Sequence, residues 1–214
     1  MGELLATLKE AGLEKNTLVI FNSDHGDLLG SHGAYNKQQP YDESIRVPLL
    51  LRWPEGLGAK SRKLDALINS EDLMPTILGL CGVPIPKTVE GLDFSGYIRG
   101  GKNPSDGAAL ISCVSPFGQW TRKMGGKEYR GIRTLRHTFV RDLNGPWLLF
   151  DNVRDPYQLR NLANRPEYAK LQSKLDAWLL LKLADAGDEF LPADAYHKRW
   201  GYVTDATGTV PYAP

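Results

Sequence analysis

The side chains best suited to chemistry fall close together near the start of the chain: Ser23-Asp24-His25-Gly26, then His32 within Gly30-Ser31-His32-Gly33, then Lys37. A carboxylate followed directly by an imidazole can ligate one cation if the backbone turns sharply, and Gly26 permits such a turn. The same tetrapeptide reads equally well as an N-cap aspartate beside a surface histidine. Lys37 offers a mobile point charge for an anion, or is an exposed loop lysine. His32 can reach a substrate or pass a proton to a leaving group, or can be satisfied by backbone alone. Asp27 could accept from the second ring nitrogen of a metal-bound His25, though an N-cap or surface role suits it better. Glu43 and Arg46, three residues apart, suit a local ion pair. Asp151, Asp155 and Asn161 sit in a turn-and-strand pattern, which points to turn chemistry.

The elements around these residues follow from periodicity. Leu4, Leu5, Leu8 and Ala11 share one face of a helix over 2 to 12, stopped by Gly12. The run 17–22, TLVIFN, is apolar and β-branched, as in a strand buried on both faces of a parallel sheet. Ser23 to Gly26 therefore stand at a strand's C-terminal end, where open α/β sheets bind ligands. Further strands are predicted over 47–53 and 65–69. A helix over 71–80 takes Ser70 as N-cap, with Glu71 and Asp72 in its first turn. Residues 83–107, rich in Gly and Pro, read as a linker-like crossing.

Beyond them, 108–114, 129–134, 138–142 and 147–151 predict short strands in antiparallel hairpins. A long helix over 166–186 puts Leu171, Leu175, Trp178, Leu179 and Leu183 on one side. Trp147, Phe150 and Trp178 read as core. The fold class is α/β: a portion of a sheet domain over 1–82, then a small α+β unit over 83–187 with an antiparallel sheet and a covering helix. The remainder, 188–214, reads as a surface-wrapping or flexible tail.

Composition excludes several classes. The 214 residues carry a net charge of +1, with Lys and Arg scattered among Asp and Glu, so nothing calls for nucleic acid. No stretch approaches the ~20 apolar residues of a membrane span, and the first residues lack a signal peptide's basic start and apolar run. Cys81 and Cys113, both in apolar surroundings, read as buried free thiols.

Taken in order, several segments resemble type I sulfatases of the alkaline phosphatase superfamily. They are Gly2 through Gly33; Tyr35-Asn36-Lys37-Gln38; Tyr41 through Leu49; Asp72-Leu73-Met74-Pro75-Thr76-Ile77; Arg130-Gly131-Ile132-Arg133-Thr134; and Leu149-Phe150-Asp151 through Leu162. The likeness is to the family's C-terminal portion. It implies an alkaline-phosphatase-like sheet, with Asp24 and His25 as ligands of a divalent cation, Ca²⁺ by family expectation. It also implies that Lys37 holds the substrate sulfate, with His32 a further candidate contact. Imidazole is an unusual ligand for hard Ca²⁺. The implied partner is a sulfated small molecule or glycan.

The resemblance also implies a Cys-x-Pro-x-Arg segment whose cysteine becomes formylglycine, the nucleophile. Neither Cys81-Gly82-Val83-Pro84-Ile85 nor Cys113-Val114-Ser115-Pro116-Phe117 has that pattern. The expectation is a sulfatase portion that does not turn over alone, one that either self-associates or is completed by a companion N-terminal half. The alternatives are a phosphodiesterase or phosphonate monoester hydrolase of the same superfamily, or a non-catalytic module binding sulfated glycans.

Overall fold

A computed structural model describes residues 1–212. In chain order they form α1 (Gly2–Glu10), β1 (Val19–Asn22), α2 (Asp42–Ile45), β2 (Leu49–Arg52), α3 (Pro54–Leu57), α4 (Ser70–Leu80), α5 (Ser95–Ile98), β3 (Ala108–Cys113), β4 (Tyr129–Thr134), β5 (His137–Asp142), β6 (Gly145–Asp151), α6 (Ala169–Asp185) and α7 (Ala193–Trp200). Two compact units result. One takes Met1–Asp24 with Val47–Gly107; the other takes His25–Arg46 with Ala108 onward.

In the first unit β1 pairs antiparallel with β2, setting Ile20 opposite Leu51 and Phe21 opposite Leu50. This corrects the expectation of a strand buried in a parallel sheet. Leu51 packs toward a cluster of Leu80, Phe94 and Ile98, while Phe21 and Leu50 are 45% and 62% exposed. An unbroken apolar run signals that both faces can be buried, but not which partner lies beside it. α1 has the predicted stripe but no buried residue.

The strand predicted over 65–69 does not form; Ala66 and Ile68 pack in extended coil on the same cluster. α4 forms, but its N-cap is Asn69 and not Ser70. The Asn69 N–H donates to Asp72 Oδ2 at 2.8 Å, closing a capping box that Ser70 is one residue too late to make. Residues 83–107 are pinned down. Leu92 N–H donates to Asp72 Oδ1 at 2.7 Å, Phe94 N–H to Thr76 Oγ1 at 3.0 Å, and Phe94 is wholly buried.

The second unit is built on a four-stranded antiparallel sheet in the order β3-β4-β5-β6, as the hairpin pattern predicts. Ile132, Phe139 and Leu149 lie opposite one another across β4, β5 and β6 and face Leu175, Leu179 and Leu183 of α6, the covering helix. Strand alternation turns Tyr129, Val140, Leu148 and Phe150 to the other face, and Tyr41 packs there. The segment 25–46 is thereby seated on the sheet.

The tail is more than a wrap. Tyr196 in α7 is buried and donates to Asp188 Oδ1 at 2.6 Å. Asp188 in turn pairs with Arg130, which is 1% exposed. Residues 213–214 of the predicted tail lie outside the described residues. Both cysteines are free, but Cys81 is exposed and only Cys113 is half-buried. Among the described residues no helix is long and apolar enough to cross a membrane.

Candidate functional site

The loop from His25 to Arg46 is fixed by its own backbone before any side chain acts. Gly26 N–H donates to Ser44 O at 2.9 Å, and Leu28 N–H to Asn36 O at 2.9 Å. Asp27 Oδ1 accepts from Leu29 N at 2.9 Å and Asn36 N at 3.1 Å, so Asp27 shapes the loop. A Cβ at Gly26 would lie 1.9 Å from Glu43 O. The glycine is therefore required for close backbone approach. Leu29, His32, Asn36 and Gln38 all have left-handed φ, from 46° to 72°. For side-chain-bearing residues this costs energy and persists only where the surroundings enforce it.

Lys37 sits between two of these strained residues. Its Nζ lies 2.7 Å from His25 Nε2, and His25 Nδ1 lies 2.6 Å from Gly26 O. A carbonyl only accepts, so the ring proton belongs on Nδ1 and the Nε2 lone pair accepts from the ammonium. The backbone thus selects the tautomer, and the imidazole turns a lone pair toward a cation. The structure brings His25 and Lys37 together.

His32 lies elsewhere in the loop. Its ring stacks on Tyr41 at 3.8 Å and 12°, with Nε2 3.5 Å from Glu43 Oε2. Burial, and after it the charge on Glu43, raise the Tyr41 phenol above its ordinary range. Glu43 does not make the predicted pair with Arg46; Arg46 reaches Asp42 instead, at 3.1 Å. Asp24 is exposed and closes its own segment of the first unit.

Sequence reasoning missed what anchors the loop. Asp42 takes a two-pronged bond from Arg133, Nε to Oδ1 and a terminal nitrogen to Oδ2, each at 2.9 Å. Gln158 Oε1 accepts from Asp42 N at 2.8 Å, and its Nε2 donates to Asn152 Oδ1 at 2.8 Å and Thr138 Oγ1 at 3.1 Å. Asp42, Arg133 and Gln158 all stand in the segments that carry the resemblance, which was the one available signal. The Asp151, Asp155 and Asn161 side chains accept from nearby backbone N–H groups, as turn chemistry predicts.

The donor set for a cation is incomplete. Asp24 and His25 offer one carboxylate and one imidazole, against the roughly six to eight oxygens Ca²⁺ takes. Among the described residues no group of three or more His, Cys, Asp or Glu side chains is disposed to hold a metal ion. These residues do not make a calcium site by themselves.

Residues 30–185, taking in His32, Lys37 and the whole sheet, match the family described as N-sulphoglucosamine sulphohydrolase, C-terminal. An ulvan-active sulfatase of Formosa agariphila is 42% identical over 205 residues, covering 95% of this chain and 40% of that protein. An endo-4-O-sulfatase of Bacteroides thetaiotaomicron is 36% identical over 186 residues, covering 75% of this chain and 34% of that protein. Among solved structures, BT4656 in complex with its substrate D-glucosamine-2-N,6-O-disulfate aligns with a TM-score of 0.74 at 29% identity, over 88% of this chain and 38% of that one. The phosphonate monoester hydrolase SpPMH from Silicibacter pomeroyi aligns with a TM-score of 0.73 at 30% identity, over 89% of this chain and 39% of that one. The chain spans about 40% of the length of the first of these relatives, and a similar share of the others.

Proposed function

The chain belongs to the sulfatase family by its match over residues 30–185, and from that premise we propose that it is the sulfate-recognising C-terminal portion of a sulfuric ester hydrolase acting on sulfated glycans, in an alkaline-phosphatase-like fold. Lys37 holds the substrate sulfate. His25 holds Lys37, its ring oriented by Gly26 O. The 2.7 Å contact between Lys37 Nζ and His25 Nε2, in a loop with four left-handed non-glycine residues, is the observation that carries this reading.

Cleavage of a sulfate ester builds negative charge on the departing oxygen. An ammonium held at a fixed position stabilises that charge without reorganising when it appears. A divalent cation, typical of the family, would add Lewis-acid stabilisation; Asp24 is the residue proposed to face it, alongside ligands this stretch does not provide, since both ring nitrogens of His25 are taken by Gly26 O and Lys37. His32, bound up with Tyr41 and Glu43, is read as a buttress of the loop. With no Cys-x-Pro-x-Arg segment in the 214 residues, this stretch is proposed not to turn over on its own.

Titration of a sulfated monosaccharide into the chain tests the reading. Lys37→Ala should weaken binding by about 10- to 100-fold, the loss of a charge-assisted hydrogen bond worth ~1.5–3 kcal/mol. Sulfate-dependent binding that ignores Lys37 would overturn it, as would turnover of an aryl sulfate by the chain alone. A second reading, phosphonate ester hydrolysis, has in its favour the likeness to SpPMH. It predicts tighter binding of an aryl phosphonate than of the matching aryl sulfate.

A further inference from the structure

Lys37 is bracketed by two residues in the left-handed region, Asn36 at φ 70° and Gln38 at φ 72°. The flexible stem of a lysine fixes little by itself, so the place of its ammonium depends on how those two neighbours are held. Asn36 is held within the loop: its N–H donates to Asp27 Oδ1 and its carbonyl accepts from Leu28 N. Gln38 is held from outside the loop. Its Nε2 donates to Phe117 O at 3.1 Å, and its Oε1 accepts from Phe117 N at 3.3 Å.

The backbone of Phe117 suits that bond. It is extended, at φ −147° and ψ 170°, so its N–H and C=O point to the same side, as a strand residue presents them to a neighbouring strand. A carboxamide carries the complementary donor and acceptor. Gln38 thus makes with its side chain the exchange that paired strands make with their backbones. Phe117 is in turn braced by the tail. Gly118 N–H donates to Thr207 O at 3.0 Å. Asp205 Oδ1 shapes the turn there, accepting from Thr207 N at 2.8 Å and Thr209 N at 3.1 Å. A Cβ at Gly208 would lie 3.0 Å from Pro116 O, so the turn packs closely on the same segment. This turn lies beyond the family match over residues 30–185.

We propose that Gln38 is a positioning residue for Lys37: its two-point bond to Phe117, braced from the far side by the tail turn at Asp205 to Thr209, sets the Lys37 ammonium against His25. What that ammonium then holds rests on the sulfatase reading of Lys37. A left-handed φ at a side-chain-bearing residue persists only where the surroundings enforce it, and the bonds to Phe117 enforce it at Gln38. Without them Gln38 relaxes toward negative φ. Asp42, a few residues on, stays anchored by Arg133 and Gln158, and Asn36 stays anchored by Asp27. The rotation is therefore taken up between those anchors, at Lys37, and its ammonium leaves His25 Nε2.

The test uses the whole chain with isotope-labelled histidine, read by nitrogen NMR at mildly alkaline pH and by titration with inorganic sulfate and N-acetylglucosamine 6-sulfate. His25→Gln assigns the His25 ring signals, and Lys37→Met marks His25 Nε2 without its donor. Gln38→Gly is the deciding variant. Glycine is at ease at φ 72°, so the unfolding midpoint should be unchanged or slightly raised, yet the carboxamide is gone. Its His25 Nε2 signal should move most of the way to the Lys37→Met value. Both probes should bind about 3- to 10-fold more weakly, the range of one net hydrogen bond. Asp205→Ala should move the signal the same way by less, and add nothing in the Gln38→Gly background. A wild-type His25 signal in Gln38→Gly overturns the proposal, because φ alone would then place Lys37. An Asp205→Ala shift as large with Gln38→Gly as without it removes the tail from the support. A moved His25 signal with sulfate binding unchanged keeps the positioning and removes the sulfate reading, as does a moved signal where neither probe binds the wild-type chain.

Discussion

At Gly26 the backbone passes so close to Glu43 O that a methyl group would sit 1.9 Å from it. Gly26→Ala should therefore destabilise the protein by about 1–3 kcal/mol, as overpacking does, with a lower unfolding midpoint. It should also loosen the Lys37–His25 contact, read as a changed His25 ring signal by NMR. Leu29 makes the opposite case: it is 80% exposed and holds φ 46°. Leu29→Gly removes the left-handed penalty of ~1–2 kcal/mol but adds ~0.5–1 kcal/mol of unfolded-chain entropy. The expected outcome is a midpoint unchanged or slightly raised. Both residues were visible in the sequence, but their reasons were not. A glycine after Asp-His announces that something needs room; whether this is a turn or a close approach depends on Glu43, which only folding brings there. His25 and Lys37 could be named from the residues, whereas the 2.7 Å contact between them depends on a loop whose strained φ values no propensity predicts.

The elements divide by the range of the interactions that define them. β3 to β6 and α6 were legible because their signals are local: alternation in the strands, and Leu175, Leu179 and Leu183 at helical spacing. β1 was legible as a strand but not as an antiparallel one. The pairings Asp42–Arg133 and Arg130–Asp188 were not legible, because nothing periodic links residues 91 and 58 positions apart. They nonetheless decide how the site loop and the tail attach. Arg133→Ala would leave the Asp42 carboxylate buried without its main partner, costing about 3–5 kcal/mol and raising amide exchange through α2. Asp188 makes the pH dependence readable. Burial pushes its carboxyl up, but the hydrogen bonds from Arg130 and Tyr196 outweigh that and hold it below the ordinary value. A carboxylate lowered in the folded state stabilises fully above its unfolded pKa of ~3.9. That stability is lost progressively as pH falls from about 4 down through the lower folded-state pKa, where Asp188 takes up its proton in the folded protein. Urea unfolding across that range should show a shallower acid limb for Asp188→Asn than for wild type.

At the scale of the molecule, the two units differ in how much apolar core they build. The second unit closes its sheet between α6 and the site loop, and Ile132, Phe139 and Leu149 are wholly buried. In the first unit Leu4, Phe21 and Leu50 are 53%, 45% and 62% exposed, and α1 buries no residue. Phe21 and Leu50 are a cross-strand pair on one face of a two-stranded sheet, an arrangement marginal in water without a third strand or cover. Each strand of that sheet also has one edge unpaired among the described residues. The chain spans about 40% of the relative it matches at 42% identity, and burial of this paired apolar face under an additional sulfatase segment or a second copy would be favourable. Self-association through it is the expected behaviour of the isolated chain. Phe21→Ser with Leu50→Ser should raise the monomer fraction in sedimentation velocity at a given concentration, while Lys37-dependent sulfate binding in the other unit persists. A wild-type chain that sediments as a monomer at all accessible concentrations would mean that the exposed pair is too small a patch to drive association.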